Sequence, residues 1–164
     1  MPPLRHIALV LLALAAATPR ARADALATLE DEQTALFDRV APAVVVIQSG
    51  DARATGFAVA PGLVLTAAHA IRGGRDVGVT LHDGRRLRGV LVATGPGGLD
   101  LALVRIPATP DRVLELTPTS SVRTGSVVAV VGHGEGLLWS FATGLVSNAA
   151  PAGPDASLLA LQVP

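Results

Sequence analysis

Val44-Val45-Val46-Ile47-Gln48, with Pro42 just upstream and Gly50-Asp51 just downstream, decides the fold. Consecutive β-branched residues lose χ1 freedom in a helix and pack well on a pleated surface, so the run reads as a strand. The same texture repeats from Ala43 onward, as short apolar runs separated by Gly, Asp and Pro. The runs are Gly56 to Ala60, Val64 to Thr66, Val77 to Leu81, Arg86 to Ala93 and Leu101 to Ile106, then Val127 to Val131, Phe141 to Ser147 and Leu158 to Val163. Many short strands with regular turn signals predict an all-β sandwich or barrel.

The connections carry their own chemistry. His82-Asp83-Gly84 supplies the Asp-Gly that a tight hairpin requires. Thr94 to Gly98, with Pro96 between glycines, reads as a surface loop delivering the chain to Asp100. Pro107 to Pro118 is Pro-rich and reads as a link between two sub-barrels. Six predicted strands precede that link and three follow it. If the halves are built alike, the second is incomplete, which points to truncation.

Upstream of the strands, Thr28-Leu29-Glu30-Asp31 resembles a capping box, and Leu29, Leu36, Phe37 and Val40 recur at helical spacing up to Pro42. One short N-terminal helix is expected. Before it, Arg5, the 11-residue apolar run Ile7 to Ala17 and the small-x-small site Ala21-Arg22-Ala23 read as an export signal cleaved after Ala23. A run of 11 falls short of the roughly 20 apolar residues a membrane span needs, so no span is expected after cleavage. The expected organisation is a signal peptide over 1–23, a helical segment over 24–42, a first β-barrel over 43–110 and the first half of a second over 119–164.

Cysteine is absent, so stability must come from a packed core, and the half of the residues that are apolar are mostly Ala, Val and Leu. The formal net charge is zero and every basic residue is Arg. That balance lacks the basic footprint of a nucleic-acid binder.

The chemistry centres on Leu65-Thr66-Ala67-Ala68-His69-Ala70, followed 31 residues after His69 by Asp100-Leu101-Ala102-Leu103. In nucleophilic acyl transfer a histidine takes the proton of a weak hydroxyl, and a buried carboxylate holds the ring in the tautomer that can do so. His69 and Asp100 suit those two roles. Read without the flanking motifs, His69 is a hydrogen-bonded strand-end histidine and Asp100 an N-cap or loop carboxylate. Ser126, Ser140 and Ser147 lie on or beside apolar strands, and none sits in a Gly-x-Ser-Gly turn. His82 and His133 lack zinc-type spacing and read as solvated turn residues; no metal is expected. Arg85, Arg86 and Arg88 read as a solvated strand face, and Trp139 with Leu137 and Leu138 as core packing or a loop anchor.

Ala54-Thr55-Gly56-Phe57-Ala58-Val59, Val64 to His69, Asp83-Gly84-Arg85, Asp100 to Arg105, Gly125 to Gly132 and Thr143-Gly144-Leu145-Val146-Ser147 occur in one order. Together they resemble the trypsin-like serine proteases, and among those the HtrA/Deg type of the bacterial envelope. The resemblance runs over residues 40–164 and implies a chymotrypsin-like double β-barrel with the active site between the halves. It implies His69 as general base, Asp100 as orienting carboxylate, polypeptide substrates, no cofactor, a periplasmic or secreted location and an optional homo-oligomer. The chain departs from the pattern at Ala70, where vertebrate members usually carry a half-cystine, and at His133-Gly134, where HtrA-like proteins often show Asn-Pro. The family's Gly-x-Ser-Gly does not occur before Pro164, so the chain is expected to be truncated before its nucleophile and inactive as given. The alternative is a non-catalytic trypsin-like homologue acting as an exported binding module.

An apolar final strand would leave an open sheet edge with unpaired backbone groups. Residues 24–164 made alone should therefore self-associate. A monodisperse monomer with one sharp melting transition, seen by light scattering and calorimetry, is the opposite outcome.

Overall fold

The computed structural model describes residues 19–118, 121–133, 137–150 and 159–163. One compact unit ends at Leu36 and a second begins at Phe37. The helix α1 spans Pro19–Val40. It starts well before Thr28, whose hydroxyl donates to the Asp24 carbonyl at 2.9 Å, the back-bond of a helix-interior threonine and not a cap. Ala23, Ala25, Leu26 and Ala27 are strong helix formers and carry the helix through the expected boundary. Pro42 has no backbone N–H to continue the α-helical ladder, and a single 3-10 turn, Ala41–Ala43, leads into the first strand. The expected export signal lies for the most part outside the described residues. Among the described residues no helix is long and apolar enough to cross a membrane.

All nine expected strands form. Six of them, β1 (Val44–Ser49), β2 (Ala52–Ala60), β3 (Leu63–Thr66), β4 (Asp76–Thr80), β5 (Arg86–Thr94) and β6 (Ala102–Arg105), close into a barrel in the order β1-β2-β3-β6-β5-β4. Closure pairs β4 back onto β1 through Val46↔Thr80 and Ile47↔Val79, so no strand edge of this barrel is left open. Alternation along the strands turns Val45, Ile47, Val64, Val77, Val79, Leu81, Val104 and Ile106 inward, all buried. The barrel core is aliphatic and built from many small contacts, as the composition implies.

The turns follow the sequence. Between β4 and β5, Leu81 N–H donates to the Arg85 carbonyl at 2.9 Å and Gly84 N–H to the Leu81 carbonyl at 3.0 Å. Gly84 takes φ +86°, which an L side chain rarely tolerates. The Pro107 to Pro118 connection is tied to the barrel through the Leu114 N–H, which donates to the Ala58 carbonyl at 2.9 Å.

The last three strands, β7 (Val127–Gly132), β8 (Ser140–Asn148) and β9 (Ala160–Gln162), form an antiparallel sheet in that order. β9 is shorter than the predicted run and exposed along its length, and Val127 and Leu161 of the two outer strands face solvent. The protein is therefore mostly β, a closed barrel plus a partial second sheet.

Packing inside the small barrel leaves no room at Gly89, where a Cβ would come within 2.6 Å of Val104 Cγ1 and 2.9 Å of Val79 Cγ2. Overpacking of this kind costs about 1–3 kcal/mol. Gly89→Ala should lower the urea midpoint accordingly. Gly78→Ala, whose Cβ would approach nothing closer than 3.4 Å, should leave it nearly unchanged. Equal midpoints for the two variants would contradict this account of the core.

Candidate functional site

His69 and Asp100 meet because β3 and β6 are antiparallel neighbours. Their register pairs Leu63 with Arg105, Val64 with Val104, Leu65 with Leu103 and Thr66 with Ala102. The C-terminal end of β3 thus lies against the N-terminal start of β6. His69 follows Thr66 on a 3-10 turn, Ala68–Ala70, and Asp100 stands just ahead of Ala102. The Asp100 carboxylate accepts twice from one residue: Oδ1 from the His69 backbone N–H at 2.8 Å, and Oδ2 from the ring Nδ1 at 2.5 Å. The first bond fixes the carboxylate against the turn, and the second fixes the ring on the carboxylate.

With Nδ1 donating, the neutral ring keeps its lone pair on Nε2, the arrangement a proton acceptor needs. The bond from the His69 ring, then that from its backbone N–H, holds the Asp100 carboxyl below the usual carboxylate range. The pair is more open than expected, with side-chain exposures of 73% for His69 and 53% for Asp100. The buried carboxylate of the sequence reading is corrected here. Asp100 sits on a loop whose flanking Leu99 and Leu101 are themselves exposed.

His69 lines a cavity of about 540 Å³ between the barrel and the β7-β8-β9 sheet. Arg53, Thr55 and Ala67 contribute from the barrel side, and His133, Ser140 and Val163 from the other. Thr55 joins the two sides, since its hydroxyl accepts the His133 backbone N–H at 2.9 Å while its carbonyl accepts the Thr66 hydroxyl at 2.8 Å. Among the described residues no group of three or more His, Cys, Asp or Glu side chains is placed to hold a metal ion.

Residues 54–163, well over half of the chain, match the family model of the trypsin-like peptidase domain. The chain belongs to the trypsin-like peptidase family. Over 94 residues it is 31% identical to a protein of Halomonas elongata named a probable periplasmic serine endoprotease, DegP-like. That match takes in 57% of this chain and spans a fifth, 20%, of the relative. Both comparisons agree with a trypsin-like protein of HtrA/Deg type.

Within this trypsin-like frame Ser126, Ser140 and Ser147 stay apart from the histidine. Ser140 Oγ lines the same cavity as His69 but donates to the Gly132 carbonyl at 3.0 Å, and Ser126 Oγ accepts from the Arg123 N–H at 3.1 Å. Ser147 is exposed on β8. No hydrogen bond joins any of the three to the His69 ring among the described residues.

His133 corrects the solvated-turn reading. Its Nδ1 accepts the Trp139 backbone N–H at 3.0 Å, its ring stacks edge-on to the Trp139 indole at 4.9 Å, and its Nε2 is buried with no hydrogen-bond partner among the described residues. His82 is exposed, as expected, and approaches the same indole at 5.2 Å. Trp139 is a loop anchor: its Nε1–H donates to the Val44 carbonyl at 3.1 Å, and the residue is held at φ +51°, a strained value for a bulky side chain. Arg53, Thr55 and His133 were not singled out for the site by the sequence reading. For Arg53 and Thr55 the available signal was the two-residue period of β2, which places them on one face of the strand. His133 had no such signal, because its partners are distant in sequence.

Burial pushes the His133 imidazole below the ordinary histidine range, and the nearby Val45 carbonyl offsets only part of this. The neutral ring is therefore the form that the fold favours. Its stabilisation is present above the ordinary histidine value of about 6.5 and is lost as pH falls from there through the lower folded value. Because Trp139 is the only tryptophan, its emission reports directly on the latch that its N–H forms with His133 Nδ1. Acidification below about pH 6.5 should shift that emission and lower the melting temperature. His133→Gln should remove most of this acid step, and an unchanged acid profile in the variant would refute the role.

Proposed function

We propose that the protein is an exported serine endopeptidase in which His69 is the general base and Asp100 its orienting carboxylate. The observation that carries this reading is the pair of hydrogen bonds that the His69 ring and backbone donate to the Asp100 carboxylate, made at the edge of an open cleft. His69 Nε2 takes the proton of a serine hydroxyl as it attacks a peptide carbonyl, then returns it to the leaving amine. The Asp100 charge stabilises the imidazolium in between. The nucleophile and the backbone donors for the oxyanion come from sequence C-terminal to β9, so residues 1–164 alone hydrolyse no peptide bond. The apolar run Ile7 to Ala17 and the name of the Halomonas elongata relative support a periplasmic or secreted location.

Reading the coding frame past Pro164 should reveal a Gly-x-Ser-Gly within about 5 to 15 residues. A serine-directed phosphonate should label the protein carrying that extension and spare its His69→Ala variant. Asp100→Asn should slow turnover by about 10³–10⁴, because the ring is then held in the wrong tautomer. An extended protein that is not labelled, with the His69–Asp100 contact intact, would instead identify a non-catalytic binding module.

A further inference from the structure

The cleft beside His69 does not end at Arg53. That side chain also lines a second, smaller groove of about 460 Å³ on the outside of the barrel, so the two cavities meet along it. Val46, on the outward face of β1, lines the floor of the groove, half-exposed Leu138 overhangs it, and Arg86 is its second cation. Among the described residues neither cavity is lined by an Asp or a Glu. This is a local excess in a chain whose formal charge is zero.

The neighbouring arginines are already neutralised. Arg85 pairs with Asp83 at 2.5 Å and Arg88 with Asp76 at 2.6 Å. Arg53 and Arg86 form no salt bridge among the described residues, and the Arg53 guanidinium reaches only the neutral Gln48 amide oxygen, at 3.2 Å. A guanidinium with vacant donors beside an apolar floor is a recognition element for a carboxylate carried next to an apolar side chain.

We propose that Arg53 is a specificity-determining residue, selecting polypeptide substrates with an Asp or Glu next to an apolar residue a short distance from the bond at His69. The carboxylate takes the free donors of Arg53, Arg86 adds long-range attraction, and the apolar side chain packs on Leu138 beside Val46. This rests on the peptidase reading above, although the binding step itself needs no nucleophile.

The test is fluorescence anisotropy with the full chain and labelled peptides that differ only at one position, Leu-Asp against Leu-Asn. The Leu-Asp peptide should bind about five- to tenfold more tightly at low salt, with the margin shrinking at high salt. Arg53→Gln should abolish the margin. Arg53→Glu, at the same exposed position, should reverse it in favour of a Leu-Lys peptide. An equal preference in wild type and Arg53→Gln, or none in wild type, overturns the proposal. Phosphonate labelling of the extended protein without an Arg53-dependent preference sinks this inference alone, whereas that preference without labelling sinks the catalytic reading and leaves Arg53 a binding determinant.

Discussion

The hydrogen-bonded register between β3 and β6 is the constraint on which the candidate site depends. Four residue pairs, from Leu63↔Arg105 to Thr66↔Ala102, place a histidine just beyond the end of one strand opposite a carboxylate just before the start of the other. A slip of one residue would turn Val64 and Val104 out of the core and separate His69 from Asp100 at the same time. Burial of the aliphatic core and assembly of the pair are therefore one event. The register is secured by closure of the whole six-stranded barrel and not by the pair itself, whose members are too exposed for their attraction to outweigh a misplaced core.

A second constraint couples the barrel to the partial sheet. Trp139 reaches the Val44 carbonyl, His133 accepts from Trp139 and donates its backbone N–H to Thr55, and Thr55 in turn holds Thr66 at the end of β3. This chain of bonds runs from the sheet to the strand that delivers His69. A strained tryptophan backbone persists because its own N–H and its indole N–H both have partners. The latch works only with a neutral His133, which ties the seating of the sheet to pH through a residue outside the expected triad pair.

The charges are organised by neighbourhood. Asp76 and Asp83 are each held below the usual carboxylate range by an adjacent arginine and Asp100 by the His69 ring, while Arg53 on the cleft wall forms no salt bridge among the described residues. Such an arrangement leaves a neutral protein with a locally attractive surface for anionic chain segments.

All nine strands, the Asp83-Gly84 turn and the candidate pair His69 and Asp100 were legible in the sequence, because two-residue alternation and turn glycines are local signals and the Thr66 to His69 motif is contiguous. The start of α1 was not, since Thr28 looks like a cap until its hydroxyl is seen bonded back to Asp24. The exposure of Asp100, the burial of His133 and the place of Arg53 where two cavities meet were equally hidden. Each depends on neighbours brought from far along the chain, at separations of 78 residues for His133 with Thr55 and 95 for Trp139 with Val44. Local pattern determined which residues form strands and which side chains are candidates for the chemistry. Only the closed barrel and the sheet docked on it decided what those side chains touch, because burial and hydrogen bonding belong to the folded surroundings of a residue and not to its sequence neighbours.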